Sequence, residues 1–192
     1  LLWRFGQDCG QRRRIFATLP PEEITMLKPR IALVFAGLVL VAASVSAQTK
    51  IAGTIQCAKP DQQTAIPVGD RTGHAFVVTK VKCTWTKPIE LAGVQAKTGE
   101  DTVFSEANGL KSRDSGYDMT AMANGDQFVV RFSGTTTSDK DGGNQAATGT
   151  WSFIRGTGKL KGINGKGTFT GKGAADGTQT TDVEGEYQIA GK

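Results

Sequence analysis

Few side chains in this sequence could do chemistry, and His74, Cys57, Cys83 and the acidic stretch from Asp139 to Asn144 are the first to weigh. His74 is the sole histidine. A general base needs a carboxylate or a nucleophile within hydrogen-bond reach, and the sequence places neither beside His74. A turn residue at a strand entrance, just after Gly73, is the expectation. Asp139, Asp141 and Asn144 in S-D-K-D-G-G-N are spaced like the start of a calcium loop. The twelfth position counted from Asp139 is Thr150, however, where such a loop needs a bidentate glutamate. A hairpin loop accounts for the stretch better.

Glu106, Arg131 and Arg155 each interrupt a strand-like run, and a charge turned into a core must find a partner there. Arg131 alternates out of phase with Phe128, Val130 and Phe132 and is expected in water. Arg155 is in phase with Trp151 and Phe153, which makes it a candidate for the mouth of a cavity. Glu106 follows Phe104 rather than Val103, and its direction stays open. A solvated face is the alternative for all three. No Ser-His-Asp set, Cys-His pair or phosphate loop can be assembled, so no catalytic residue, metal or cofactor is expected.

The elements that would position these residues begin late in the chain. From Met26 the sequence runs M-L-K-P-R, then the apolar stretch Ile31 to Val45, then S-A-Q. This order resembles the basic, apolar and small-residue regions of a signal peptide, with cleavage after Ala47. The apolar stretch of 15 residues is short of the ~20 needed to span hydrocarbon, so no stable membrane anchor is expected. The residue immediately after the cleavage site is Gln48 and not a cysteine, so a lipid anchor is unsupported. Residues 1–25 read as an upstream extension, with Met26 as the true start. A basic nucleic-acid arm at Arg12 to Arg14 is the alternative. Residues 1–47 hold six Lys/Arg and three Asp/Glu, which leaves 17 basic and 15 acidic residues in the remaining 145. That balance gives no electrostatic case for nucleic acid. Export also places Cys57 and Cys83 in an oxidising compartment, where a disulfide is expected. Two free thiols, or a metal site short of ligands beyond His74, are the alternatives.

After Ala47 the chain has 22 glycines and only three prolines, and no stretch sustains a 3.6-residue period. The class is all-β. Strands are expected at Ile51 to Cys57, His74 to Thr86, Thr102 to Ala107, Tyr117 to Ala123, Gln127 to Thr137, around Trp151 and Phe153, at Thr168 to Thr170, and at Thr180 to Ala190. Lys59 to Gly73 reads as a polar loop, and Asn124-Gly125 as a tight hairpin. Leu160 and Ile163 are spaced to turn inward together at a glycine corner. About eight antiparallel strands leave no free edges if they close, so a small barrel is expected and a β-sandwich is the alternative.

The run from Trp151 and Phe153 through Gly156 to Gly165, and on to Gly167-Thr168-Phe169, resembles the penultimate strand pair of allene-oxide-cyclase-like and dirigent-like barrels, including their bacterial secreted relatives. The resemblance implies an eight-stranded barrel with a central cavity, often in a homo-oligomer. The catalytic motifs of the plant proteins have no counterpart here, so a scaffold is implied and not a reaction.

Three functions follow as expectations: an exported barrel that holds a small apolar or amphipathic molecule, a cyclase or isomerase on the same scaffold, and a structural or interaction barrel with a filled core. For the first, the lumen is expected to be lined from Val77, Val81, Trp85, Phe128, Val130, Phe132, Trp151, Phe153, Tyr187 and Ile189, with Glu106 and Arg155 as polar candidates. Gly134, Gly149 and Gly185 either leave that lumen unfilled or let the sheet bend.

Overall fold

A computed structural model describes residues 48–140 and 143–190. The signal-peptide and upstream readings of residues 1–47, and Asp141 of the acidic loop, lie outside the described residues. Ten strands follow in chain order: β1 (Thr49–Cys57), β2 (Gln62–Pro67), β3 (His74–Lys87), β4 (Glu90–Leu91), β5 (Val94–Asn108), β6 (Lys111–Met122), β7 (Gln127–Ser138), β8 (Gln145–Gly156), β9 (Ile163–Gly173) and β10 (Gln179–Ile189). Eight of them close an antiparallel barrel in the order β1, β10, β9, β8, β7, β6, β5, β3, with β3 returning to β1. A sandwich is thereby excluded.

Closure follows from alternation. Each strand turns one residue in two to the interior, as the buried positions Ile51, Ile55 and Cys57 of β1 or Val81, Cys83 and Trp85 of β3 show. The polar segment 59–73 contains a strand where a loop is expected. β2 pairs Gln62 with Lys80 through Pro67 with Ala75, and all six of its residues are exposed. It runs along the half of β3 that β1 does not reach, where it buries no face and shows no apolar period. β1 then pairs with the other half of β3, and Cys57 stands directly opposite Cys83. Their disulfide, with Cα atoms 3.9 Å apart, fits this register without any long excursion.

One end of the barrel is plugged. Leu91 and Leu160 are almost fully buried there, with Ile89, Met122, Phe128, Phe153 and Ile163 around them. Leu160 belongs to a single 3-10 turn, Gly158–Leu160, and it and Ile163 do turn inward together. The β4–β5 turn folds across this end, where Ala92 N donates to Tyr187 Oη at 3.0 Å.

The wall glycines are neither voids nor simple bends. A Cβ on Gly149 would sit 2.5 Å from the Phe169 ring, and one on Gly185 would sit 2.5 Å from the Trp151 ring. The missing side chains are replaced by aromatic rings laid across the sheet. Trp151 is fixed there by donation from Nε1 to the Thr168 carbonyl at 3.1 Å. Gly149→Ala or Gly185→Ala is therefore expected to destabilise the fold by at least about 1 kcal/mol through overpacking, measured by urea denaturation. Unchanged midpoints would show that the rings can move aside.

Candidate functional site

The unplugged end is where β3, β6, β8 and β10 begin, and from it a cavity of ≈ 550 Å³ runs into the barrel. Volumes of this order accommodate a drug-sized molecule. Eight of the ten residues expected at the lumen line this cavity: Val77, Val81, Trp85, Phe128, Val130, Phe132, Trp151 and Phe153. Tyr187 and Ile189 do not. They belong to the packed end, where Tyr187 is buried and Ile189 lies against the core.

The polar candidates fall elsewhere. Glu106 sits on the outer face of β5, in phase with the exposed Phe104, and its Oε1 lies 3.3 Å from His74 Nε2. Arg155 is exposed, across a register shift that pairs Val129 with Arg155 but Val130 with Phe153. That extra residue is a bulge, and it carries Arg155 out of phase with Trp151 and Phe153. Arg131 is exposed.

His74 does have carboxylates beside it. Its Nδ1 is 2.5 Å from Asp70 Oδ1, and Arg71 pairs with the same aspartate. The hydrogen bond from His74 is the main reason that Asp70 is held below the usual carboxylate range, with Arg71 adding to it. The group lies on the outer face beside the stacked rings of Phe76 and Phe104, away from the lumen. In the acidic loop, Asp139 accepts from the backbone N–H groups of Gly143 and Asn144 and from the Asn144 side chain, a turn-closing arrangement.

The chemistry inside the barrel comes from residues that alternation alone does not single out. Asp101 on β5 and Asp118 on β6 are cross-strand partners, and both line the cavity. Asp118 is 8% exposed. Gly99 makes room for it, since a Cβ there would lie 2.6 Å from Asp118 Oδ2. Thr120 Oγ1 donates to Asp118 Oδ1 at 2.6 Å, and Trp85 Nε1 donates to Thr120 Oγ1 at 3.3 Å. Among the described residues no other side chain donates to Asp101 Oδ1 or Asp118 Oδ2, and no Lys, Arg or His pairs with either group.

Burial raises both carboxyls above the usual carboxylate range. Asp101 is pushed further by the charge of Asp118, whereas hydrogen bonds from Asp101 and Thr120 favour the ionised form of Asp118. A single proton held between the two, on Asp101, would serve both carboxyls. A carboxylate oxygen of Asp101 and the sulfurs of Cys57 and Cys83 lie within 4.8 Å of one another. Bonded to each other, these sulfurs are not thiolate ligands for a metal.

Neither a family model nor a curated protein matches the sequence. Among solved structures, the chain is similar to a conserved protein of unknown function from Rhodopseudomonas palustris, with 9% identity over 74% of this chain and 99% of that one, at a TM-score of 0.41.

Proposed function

We propose that the chain is an exported protein whose barrel binds a small apolar or amphipathic molecule in its lumen. The cavity of ≈ 550 Å³, walled by Val81, Val103, Val130 and Phe132 and left unfilled by the side chains of the described residues, carries this reading. A structural barrel with a filled core would have no such space. The Cys57–Cys83 disulfide supports export.

The test is to fill the lumen. Val103→Trp adds a ring at a cavity-facing position of β5, and binding of a neutral fluorescent probe such as N-phenyl-1-naphthylamine should fall at least about ten-fold, the loss of most of one ring's burial. Far-UV circular dichroism should show the barrel intact. A wild-type protein that does not bind the probe, or a Val103→Trp variant that binds it equally well, would overturn the reading.

A proton-transfer enzyme on the same scaffold is a second reading, favoured by one observation. Asp101, Asp118, Thr120 and Trp85 converge in the lumen as an acid, a base and their orienting groups. Two carboxyls held at different protonation states can divide acid and base roles. Deuterium uptake from D₂O at the α-carbon of an added hydrophobic ketone, followed by NMR and lost in Asp118→Asn, would support it. Uptake no faster than without protein would count against it.

A further inference from the structure

The polar groups around the carboxyl pair are unequal in kind. The donors packed against it, Thr120 Oγ1 and Trp85 Nε1, are both spent within the cluster, Thr120 on Asp118 and Trp85 on Thr120. What remains to face the cavity is acceptor capacity on Asp101 and Asp118. Ionised, the pair carries negative charge, and no cationic side chain among the described residues neutralises it. Lys59 and Lys111 line the cavity only near its mouth, at the start of the β1–β2 loop and of β6. A buried carboxylate left so is costly, and a ligand that brings both a positive charge and N–H donors removes the cost.

We infer that the ligand is an amphipathic amine, its ammonium group seated on Asp101 and Asp118 and its apolar body lying toward Val81, Val103, Val130 and Phe132. This rests on the lumen-binding function proposed above, and it names the class of molecule. The cavity agrees with it in shape as well as charge. The acidic pair lies inside, next to the disulfide, and from its level toward the mouth the wall carries Val77, Val103, Phe132 and Phe169 interleaved with Thr79, Ser105, Asp114 and Thr136, an amphipathic lining. Desolvation of the two carboxyls, which raises both, is relieved when a cation occupies the space beside them.

Two probes with one body separate the amine from the lumen. At pH 7.5, 1-naphthylmethylamine should bind at least about ten-fold more tightly than 1-naphthylmethanol, as expected for a charged hydrogen bond gained in a buried site. Calorimetric titration measures both. The ratio should fall to about one in the Asp101→Asn/Asp118→Asn variant. It should survive in Asp114→Asn, which removes another cavity-lining acid, one that accepts from Thr136.

Equal affinity of the wild-type protein for the two probes, or tighter binding of the alcohol, would overturn the amine and leave the lumen function standing. Loss of the preference in Asp114→Asn would overturn the assignment to the pair. Failure of both probes to bind would remove the lumen function and this inference with it. Because the first comparison needs no variant, a poorly folded mutant cannot obscure it.

Discussion

Replacing Asp118 by asparagine is expected to stabilise the barrel, by up to about 3 kcal/mol at pH 8 and by nothing measurable at pH 3. The oxygen of the new amide can accept from Thr120 as the carboxylate does, and its NH₂ group can donate to Asp101, so the hydrogen bonds are completed without a shared proton. The pH dependence has a definite sign. Burial raises both carboxyls above their ordinary value of 3.8, Asp101 well above it, so the folded chain keeps a proton that the unfolded chain releases. Stability of the native protein should therefore be greatest, as far as this pair is concerned, below about pH 4. It should decline as pH rises through the pair's folded titration. The difference between variant and wild type isolates this contribution from Asp70, Asp126 and Asp176, which are shifted the other way by their hydrogen bonds. Urea denaturation at several pH values measures it. A variant less stable than wild type at pH 8 would mean that the pair holds the fold together.

Such a gain would identify Asp101 and Asp118 as groups kept at a cost to stability, and that is the usual signature of a site rather than of a core. The same lumen shows the contrast within one layer of residues. Val81 and Val130 face the cavity and bury apolar surface to the benefit of the fold, whereas the two aspartates bury charge. A filled barrel would place aliphatic side chains at both positions.

The barrel was legible because its strands alternate cleanly and its turns carry glycine. Val77, Val81 and Trp85 on β3, or Phe128, Val130 and Phe132 on β7, could be assigned to one face from spacing alone. β2 could not be read in this way, because a strand that covers no core has no apolar period to reveal it. Arg155 was misplaced for a different reason. A bulge adds one residue, and every position beyond it changes face, which alternation cannot detect. The carboxyl pair is the instructive omission. Asp118 alternates with Thr120 and Met122 against Tyr117 and Met119, and either set could have faced inward on apolar content. Only closure decides it, burying Thr120 and Met122 while leaving Tyr117 and Met119 on the surface. Asp101 then meets Asp118 because β5 and β6 pair in that register, and register is a property of two strands rather than one.

Removing the disulfide is expected to cost about 3 to 4 kcal/mol, the value for a bridge spanning 26 residues. Its place in the fold makes the effect local as well as global. The barrel closes where β1 meets β3, and only four residue pairs join them, with a register shift between Thr54 and Ile55. On its other side β3 is joined to β5 by a continuous ladder from His74–Asn108 to Thr84–Thr98. The bridge holds the shortest ladder of the closed sheet at the point where β1 leaves the wall. In a Cys57→Ala/Cys83→Ala variant, the amides of β1 and of the second half of β3 should lose hydrogen-exchange protection before those of β6 to β9. Urea denaturation should show the matching drop in midpoint. If the variant unfolds at the wild-type midpoint, with protection uniform around the barrel, the ladder between β1 and β3 closes the barrel unaided, and the bridge is dispensable to the fold.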